Sequence, residues 1–241
     1  MLGGSGGIRG AIQRLIENLT QREDSPEVQR EKFELLQRLN HSEEEVVQLA
    51  LQTLLVRGWH RDGTLKAASL EGVYFGAVDL SEADMRRSNL RQIQLNGANL
   101  TGANLAEADL TSANLTGTSL VKANLEGANL HGAFLYESNL SRANLREANL
   151  WDVRLGTTNL MEAMIDPEQM IAVNALHNAT MPDGDRYDGR FNLPGDVDLA
   201  KFLMIDVEDT QSMAVFYGVS VGRYAEGQRW AQDNLPNLRT S

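Results

Sequence analysis

A large apolar residue returns at every fifth position from Leu70 to Ile165, and this period is the strongest constraint on how the chain can fold. Most of these positions hold leucine, and a small residue, usually alanine, precedes most of them by two places. A five-residue period fits neither the 3.6-residue turn of a helix nor the two-residue alternation of a strand. The chain must therefore turn a corner once in each repeat.

Each repeat is predicted to form one side of a coil whose inside is filled by one small and one large apolar side chain. The other three positions of each repeat are expected to face water. Glycine recurs at one corner position, where we expect a larger side chain to be too crowded. These glycines are Gly97, Gly102, Gly117, Gly127 and Gly132.

The run from Asn96 to Leu105, which reads Asn-Gly-Ala-Asn-Leu-Thr-Gly-Ala-Asn-Leu, resembles the pentapeptide-repeat family. The fold of that family is a right-handed quadrilateral β-helix with four repeats in each coil. The resemblance implies that the repeats of this chain form a β-solenoid of about five coils. Stacked at about 4.8 Å, these coils would make a rod roughly 20 Å long. The resemblance says little about function, because the roles of family members are diverse.

The period divides the chain into three segments. Residues 1–63 combine a glycine-rich start with helical apolar spacing, and we expect an α-helical N-terminal cap over the first coil. Residues 64–166 are the predicted solenoid. Residues 167–241 contain a turn-rich stretch followed by helical spacing, and are expected to form a mixed, mainly helical region that covers the other end.

Three local signals mark helix ends in the N-terminal segment. Ser25 before Pro26 indicates a helix start. Ser42 with Glu45 fits a capping box for the next helix. Gly58 is typical of a helix C-terminus.

Charge and composition exclude several classes of protein. The net charge is −11 and no segment is basic, which argues against a nucleic-acid-binding surface. The chain has no cysteine, so disulfides and thiolate metal sites are excluded. The apolar runs are too short to span a membrane, and the start lacks the features of a signal peptide. We expect a cytoplasmic protein.

Catalytic and cofactor motifs are missing from the sequence, so we predict no enzyme and no cofactor. The acidic run Asp183, Asp185 and Asp188 suggests calcium, but Tyr187 stands where an EF-hand needs a ligand, and the closing glutamate is missing. We therefore interpret it as turn chemistry. The four histidines show no zinc-ligand spacing. They are His41, His60, His131 and His177.

Residues 214–220 have the alanine and glycine spacing of a helix-turn-helix, which leaves DNA binding as an alternative function. The second helix of this motif would offer only Arg223 and Arg229, and it lies in the most acidic third of the chain. We therefore favour a helical hairpin that covers the solenoid.

Five outward positions form the candidate interface. Residues twenty apart stack in one column, so His131 lies beneath Trp151 and Phe134 beneath Arg154, with Tyr136 beside them. These positions usually hold Asn, Thr or Ser, and an outward aromatic cluster needs something to cover it. Either the tail of the same chain covers it, or another protein or a second copy does.

The function left by these exclusions is a non-enzymatic scaffold or interaction module with a protein partner. Some family members resemble duplex DNA in shape and charge and protect gyrase from inhibitors, and this DNA mimicry is an alternative. The rod is short for that role, and arginines interrupt its outer columns. The alternative to an N-terminal cap is a segment for protein docking or homo-oligomerisation, above all the apolar pattern from Ile8 to Leu19.

Overall fold

The computed structural model of the protein describes residues 24–191 and 193–234. The helices in this part are α1 (Pro26–Leu39), α2 (Glu44–Val56), α3 (Pro167–Ile171), α4 (Pro194–Phe202), α5 (Thr210–Tyr217) and α6 (Val221–Asn234). The predicted helix at Ile8 to Leu19 lies outside the described residues. Among the helices that are described, none has the length and apolarity to cross a membrane.

A parallel β-ladder joins residues twenty positions apart between α2 and α3. Asn104, for example, pairs with Asp84 in the preceding coil and with Asn124 in the next. The Leu105 N–H donates to the carbonyl of Asn124 at 2.7 Å, and the Asn124 N–H donates to the carbonyl of Ala103 at 2.9 Å. Since each side of a coil uses five residues, this register makes a coil of four sides and confirms the β-solenoid.

The interior of the solenoid is filled by the two apolar positions of each repeat. Ala103, Leu105 and Leu110 are all 0% exposed, and the same positions are buried in the neighbouring coils. Burying a leucine side chain contributes roughly 2 kcal/mol, so each four-sided coil adds several such contributions to the free energy of folding. This packing is the reason why apolar residues recur at every fifth position in the sequence.

The corners explain why glycine recurs, and the expectation of crowding is wrong. The Ala98 N–H donates to the carbonyl of Leu95 across a tight turn, and Gly97 at its third position has φ +74°. A Cβ atom on Gly97 would come no nearer than 3.5 Å to another atom, an ordinary contact. The constraint is the positive φ, which glycine adopts most easily but which Glu107 (φ 59°) also adopts.

The asparagines that precede many leucines stabilise the stack, although the sequence suggested only exposed positions. The side chain of Asn144 donates to Oδ1 of Asn124 at 3.1 Å, one coil away. Oδ1 of Asn144 accepts the backbone N–H of Arg146 at 3.2 Å, which closes a turn at the corner. These asparagines are therefore both turn formers and rungs of a side-chain ladder.

The ladder continues beyond residue 166, where the sequence predicted its end. After α3 the pairing resumes with an offset of one, since Arg154 pairs with Ala175 and Asn159 with Thr180. The side chain of Gln169 in α3 donates to the carbonyl of Ala148 at 2.8 Å in place of a ladder bond. The apolar period stops at α3 because this helix replaces one side of the coil, but backbone pairing resumes after it with the register shifted by one residue.

Two of the three predicted helix-end signals are confirmed. Oγ of Ser25 accepts the N–H of Val28 at 3.3 Å at the start of α1, and Gly58 follows α2 with φ +70°. The capping box of Ser42 is wrong, because α2 has Glu43 as its N-cap and no side-chain cap bond. The N–H of Glu43 instead donates to Nδ1 of His41, so a local turn delays the start of the helix.

Polar side chains from the flanking helices bind the open edges of the ladder. At the N-terminal edge, the amide of Asn40 donates to the carbonyl of Ser69 at 2.5 Å, and the amide of Gln48 donates to the carbonyl of Tyr74 at 3.3 Å. These are carbonyls whose counterparts in later coils accept from the coil before. The loop after α1 and the helix α2 thus take the place of a preceding coil.

At the other edge, the carboxylate of Asp196 in α4 is 0% exposed. It accepts the N–H groups of Leu176 and His177, both at 3.1 Å to Oδ1. In earlier coils the N–H equivalent to that of Leu176 donates to a carbonyl of the following coil, whereas the N–H equivalent to that of His177 donates to the side chain of an asparagine two residues before it. Asp196, in the first turn of α4, therefore substitutes both for a carbonyl of a further coil and for the asparagine of the turn.

Replacing an interior leucine by a charged residue tests the inward assignment. We expect Leu110→Asp to destabilise the protein by at least about 4 kcal/mol, because it places an unpaired charge in a filled core. Urea denaturation followed by circular dichroism measures the change. Lys122→Asp, at an exposed corner, carries the same new side chain and should unfold like the wild type. Normal unfolding of Leu110→Asp would contradict the packing described here.

Removing the Asp196 carboxylate tests the closure of the C-terminal edge. We expect Asp196→Ala to lower the free energy of unfolding by about 3 kcal/mol, since it leaves two backbone N–H groups buried without a partner. Asp198→Ala, at an exposed position of the same helix, is the control and should change stability little. Equal stability of the two variants would show that Asp196 does not close the edge.

Candidate interaction site

The column of His131 and Trp151 forms an open corner of the rod. The Gly132 N–H donates to the carbonyl of Trp151 at 2.9 Å, which fixes the two residues in neighbouring coils of one column. The Trp151 N–H is held by Oδ1 of Asn149 at 3.1 Å, while 63% of the residue is exposed. His131 is exposed as well. We call these two residues the open corner.

The neighbouring column pairs a cation with an aromatic ring. Phe134 and Arg154 form a parallel bridge, and the guanidinium carbon of Arg154 lies 4.7 Å from the centroid of the Phe134 ring. This is a cation–π geometry, and both residues are only partly exposed. Much of the Phe134 ring is therefore covered by the coil above it.

Tyr136 lies under the C-terminal region of the same chain. Its ring centroid is 6.3 Å from that of His177, whose other side stacks on Phe216 of α5 at 6.2 Å. Burial raises the pKa of the Tyr136 hydroxyl. A Cβ atom at Gly156 would lie 2.8 Å from Cε1 of Tyr136 and 2.5 Å from Cε1 of His177, so only glycine allows this approach.

The predicted cluster therefore divides into a covered part and an open part. The column geometry places the five residues on two adjacent sides of the rod, around one corner. Tyr136 binds the tail of its own chain, Phe134 and Arg154 cover one another, and the open corner has Trp151 exposed. The repeat register is sufficient to predict the columns. It does not predict which column the C-terminal region of the chain packs against.

The helix pair α5 and α6 packs on the end of the solenoid. Tyr217 of α5 is 0% exposed, and its ring centroid lies 5.5 Å from that of Tyr187 and 6.0 Å from that of Tyr224. Arg223, one of two arginines that the helix-turn-helix alternative would use, pairs with Asp185 at 2.8 Å. This packing is that of the helical hairpin favoured by the sequence, and it weakens the DNA-binding alternative.

The acidic run after the solenoid is used in ion pairs and turns. Asp188 pairs with Arg190 at 2.8 Å, and Asp185 pairs with Arg223. Oδ1 of Asp183 accepts the N–H of Asp185 at 3.0 Å, as a turn residue does. Across residues 24–191 and 193–234, no group of three acidic or histidine side chains is arranged to hold a metal ion.

Arginines of the outer columns neutralise carboxylates one coil away. Arg87 binds Glu107 through two hydrogen bonds of 2.9 and 3.1 Å, and Arg142 binds Glu162 in the same way at 2.7 and 3.2 Å. The hydrogen bond from Arg87 lowers the pKa of Glu107. These pairs interrupt the acidic surface that a mimic of DNA needs.

One exposed feature was missed from the sequence. Phe202, Leu203 and Met204 follow one another at the end of α4 and are 80%, 53% and 94% exposed. The helical spacing around them predicted an ordinary packed helix. The sequence did contain a signal for exposure. Three large apolar residues follow one another at the predicted helix end, and a helix that packs through one face does not need all three.

The repeats identify the family of the middle segment. Residues 65–105, 93–132 and 123–160 match the model of the family described as pentapeptide repeats, in 8 copies. Together with the four-sided ladder, this match shows that residues 65–160 are pentapeptide repeats. No curated protein is similar enough to the chain to count as a match.

Several solved pentapeptide-repeat structures are similar to parts of the chain. A protein (Rfr23) of the cyanobacterium Cyanothece 51142 is 26% identical, covers 53% of this chain and 99% of its own, and has a TM-score of 0.43. A thylakoid-lumen protein of Arabidopsis thaliana is 22% identical over 44% of this chain and 71% of its own, with a TM-score of 0.38. QnrB1, a plasmid-mediated fluoroquinolone resistance protein, is 21% identical over 58% and 88%, with a TM-score of 0.24.

The division of the cluster predicts different effects for substitutions of Tyr136 and Trp151. Tyr136→Ser should speed hydrogen exchange in residues 175–217, because the tail loses the ring on which His177 packs. Trp151→Ser should leave exchange unchanged and the free energy of unfolding within about 0.5 kcal/mol of the wild type. Mass spectrometry of deuterated peptides separates these outcomes. Faster exchange in the Trp151 variant would mean that the open corner also anchors the tail.

Proposed function

We propose that the protein is a non-enzymatic interaction scaffold that binds a protein partner through the open corner of its rod. The observation that carries the proposal is Trp151, a large aromatic residue that is 63% exposed on a rigid backbone. Tryptophan is among the residues that contribute most to protein interfaces, and exposing it to water has no benefit for the fold.

Rigidity is the property that a scaffold needs, and the ladder provides it. Each coil is bonded to the next by backbone hydrogen bonds of 2.7 to 3.2 Å along its four sides. A side chain on the surface is therefore held in a fixed position, and little conformational entropy is lost when a partner binds. The interior offers no space for a substrate, because leucine and alanine fill the described coils.

The flanking helices suit the same role. The pair α1 and α2 lies at one end of the rod, and α4 to α6 lie at the other. We take both as caps, because an uncovered apolar coil end would promote association between rods. The solenoid would then hold two helical regions at a fixed separation, with the open corner between them.

Regulation of gyrase by DNA mimicry is the weaker candidate. It requires a continuous acidic face, whereas Arg87 and Arg142 are paired with carboxylates on the outer columns. A supercoiling assay with purified gyrase distinguishes the two functions. A mimic of DNA should bind gyrase and lose that binding at high salt, whereas the scaffold should have no effect.

Affinity capture from a lysate of the native host tests the proposed function. The wild type is compared with Trp151→Ser and with Tyr74→Ser, which removes a different exposed aromatic residue at 50% exposure. A partner of the open corner should be captured by the wild type and the Tyr74 variant and be lost from the Trp151 variant. Its purified complex should weaken by at least about tenfold in Trp151→Ser. Identical protein lists from all three would overturn the proposal.

A further inference from the structure

A groove stays open at the N-terminal edge of the ladder, between the helix pair α1 and α2 and the first coil. Its volume is about 410 Å³, enough for a short stretch of polypeptide. One wall is formed by residues 40–42 and the start of α2, and the other by the corner at residues 71–74. The groove therefore lies where a preceding coil would continue the ladder.

The backbone carbonyl of Glu71 has no hydrogen-bond partner at this corner. Twenty residues later, the equivalent carbonyl of Arg91 accepts the N–H of Gly72 in the coil before it, at 2.8 Å. Glu71 belongs to the first coil, and its carbonyl accepts no hydrogen bond from any residue in the ranges 24–191 and 193–234. The corner therefore presents an open acceptor where the ladder begins.

The backbone N–H of Tyr74 is an open donor at the same corner. The equivalent N–H of Gln94 donates to the carbonyl of Val73 in the coil before it, at 2.9 Å, whereas that of Tyr74 is bonded to none of the described residues. The carbonyl of Tyr74 is already taken, because the side-chain amide of Gln48 donates to it at 3.3 Å. The helix α2 thus supplies one of the three partners that a preceding coil would supply here.

The two remaining partners would come from a piece of polypeptide that turns like the corner of a coil. Within the ladder they belong to adjacent residues, the N–H of Gly72 and the carbonyl of Val73, and Gly72 has φ +70°. A segment that repeats this arrangement turns at a glycine, which adopts positive φ most easily. Segments that add to an open sheet edge gain affinity from backbone hydrogen bonds of this kind.

The charge of the groove indicates a basic segment. The described lining contains the carboxylates of Glu44 and Glu71 and neither lysine nor arginine. Glu44 forms no ion pair with any described residue, and Arg91 of the next coil approaches Glu71 only to 3.8 Å. His41 also lines the groove, and its Nδ1 accepts the N–H of Glu43, which a protonated ring nitrogen does not do. A complementary ligand therefore carries positive charge.

We propose that the groove binds a basic segment of a partner protein that turns at a glycine. The glycine N–H donates to the carbonyl of Glu71, and the carbonyl of the next residue accepts the N–H of Tyr74. An arginine or lysine beside the glycine lies near the carboxylates of Glu44 and Glu71. Two backbone bonds and one charge pair bind weakly, with a Kd on the order of 100 μM to 1 mM. The groove lies at the opposite end of the rod from the open corner, and its binding does not depend on the function proposed above.

Fluorescence anisotropy of a labelled peptide tests the groove. The probe is the capped hexapeptide Thr-Arg-Gly-Ala-Arg-Thr, titrated with the full chain at about 50 mM salt. The wild type should bind it saturably, and a probe with glutamate in place of both arginines should not bind. Glu44→Gln/Glu71→Gln should weaken binding by at least about tenfold. Glu137→Gln/Glu147→Gln, which makes the same change in charge at exposed corners elsewhere on the solenoid, should bind like the wild type.

Methylation of the probe separates backbone bonding from charge. Sarcosine in place of the glycine removes the N–H that meets the Glu71 carbonyl and keeps both arginines, so binding should weaken by at least about tenfold. N-methylation of the last threonine instead should leave the affinity within about twofold. Circular dichroism checks that both glutamine variants are folded. Glutamine at position 71 keeps an oxygen that can accept the amide of Asn89, as the carboxylate does at 3.2 Å.

Four results would overturn the proposal. The first is a probe that remains unbound at about 1 mM wild-type protein. The second is equal weakening in both glutamine variants, as a long-range effect of net charge would give. The third is a sarcosine probe that binds as tightly as the parent, as an acidic patch without backbone recognition would give. The fourth is concentration-dependent sedimentation of the wild type that the probe abolishes, which would assign the groove to a second copy of the chain.

Discussion

The structure depends on the backbone ladder that pairs residues twenty positions apart. A single coil has only twenty residues, and it cannot enclose its leucines without a coil above and below. The ladder and the core therefore form together. The N–H of Leu105 donates to the carbonyl of Asn124 in the next coil, and the side chain of Leu105 is buried in the same stack of coils. This mutual dependence favours cooperative folding of the solenoid, and it explains why the period of five tolerates so much variation on the outer surface.

A ladder that depends on neighbouring coils has a difficulty at its two ends, where the next coil is missing. The chain solves it with side chains that take the place of missing partners: amides of Asn40 and Gln48 act as N–H donors, and the carboxylate of Asp196 accepts the N–H groups of Leu176 and His177. A carboxylate suits the C-terminal edge because its two oxygens can accept adjacent N–H groups. The flanking helices are thus joined to the rod by polar contacts as well as by apolar packing.

The sequence predicted the features that follow from the repeat pattern. It did not predict the features that depend on single residues outside that pattern. The buried leucines follow from the period of five, whereas the twenty-residue register and the columns at Trp151 and Arg154 also needed the four repeats per coil that the family resemblance implies. The coil after α3 was missed because α3 interrupts the apolar period, and the side chain of Gln169 there takes the place of a ladder bond to Ala148. The cover over Tyr136 was one of two open alternatives, because the crossing of His177 and Phe216 depends on tertiary contacts of the tail. The exposed residues at the end of α4, Phe202, Leu203 and Met204, escaped notice because helical spacing predicts a buried face whether or not a partner element is present.

Some outward apolar residues of this rod are covered by contacts within their own chain, and others are not. The first are structural residues, and the second are candidate interaction residues. Tyr136 is explained by the tail above it, and Phe134 by the guanidinium of Arg154. Trp151 has no comparable account within the described chain, although its backbone is held in place by Asn149 and Gly132. Met204 is exposed as well, and its positive φ means that glycine at this position would reduce the backbone strain. A residue that leaves its own fold no better packed, and in one case more strained, is most simply explained by a contact outside the chain.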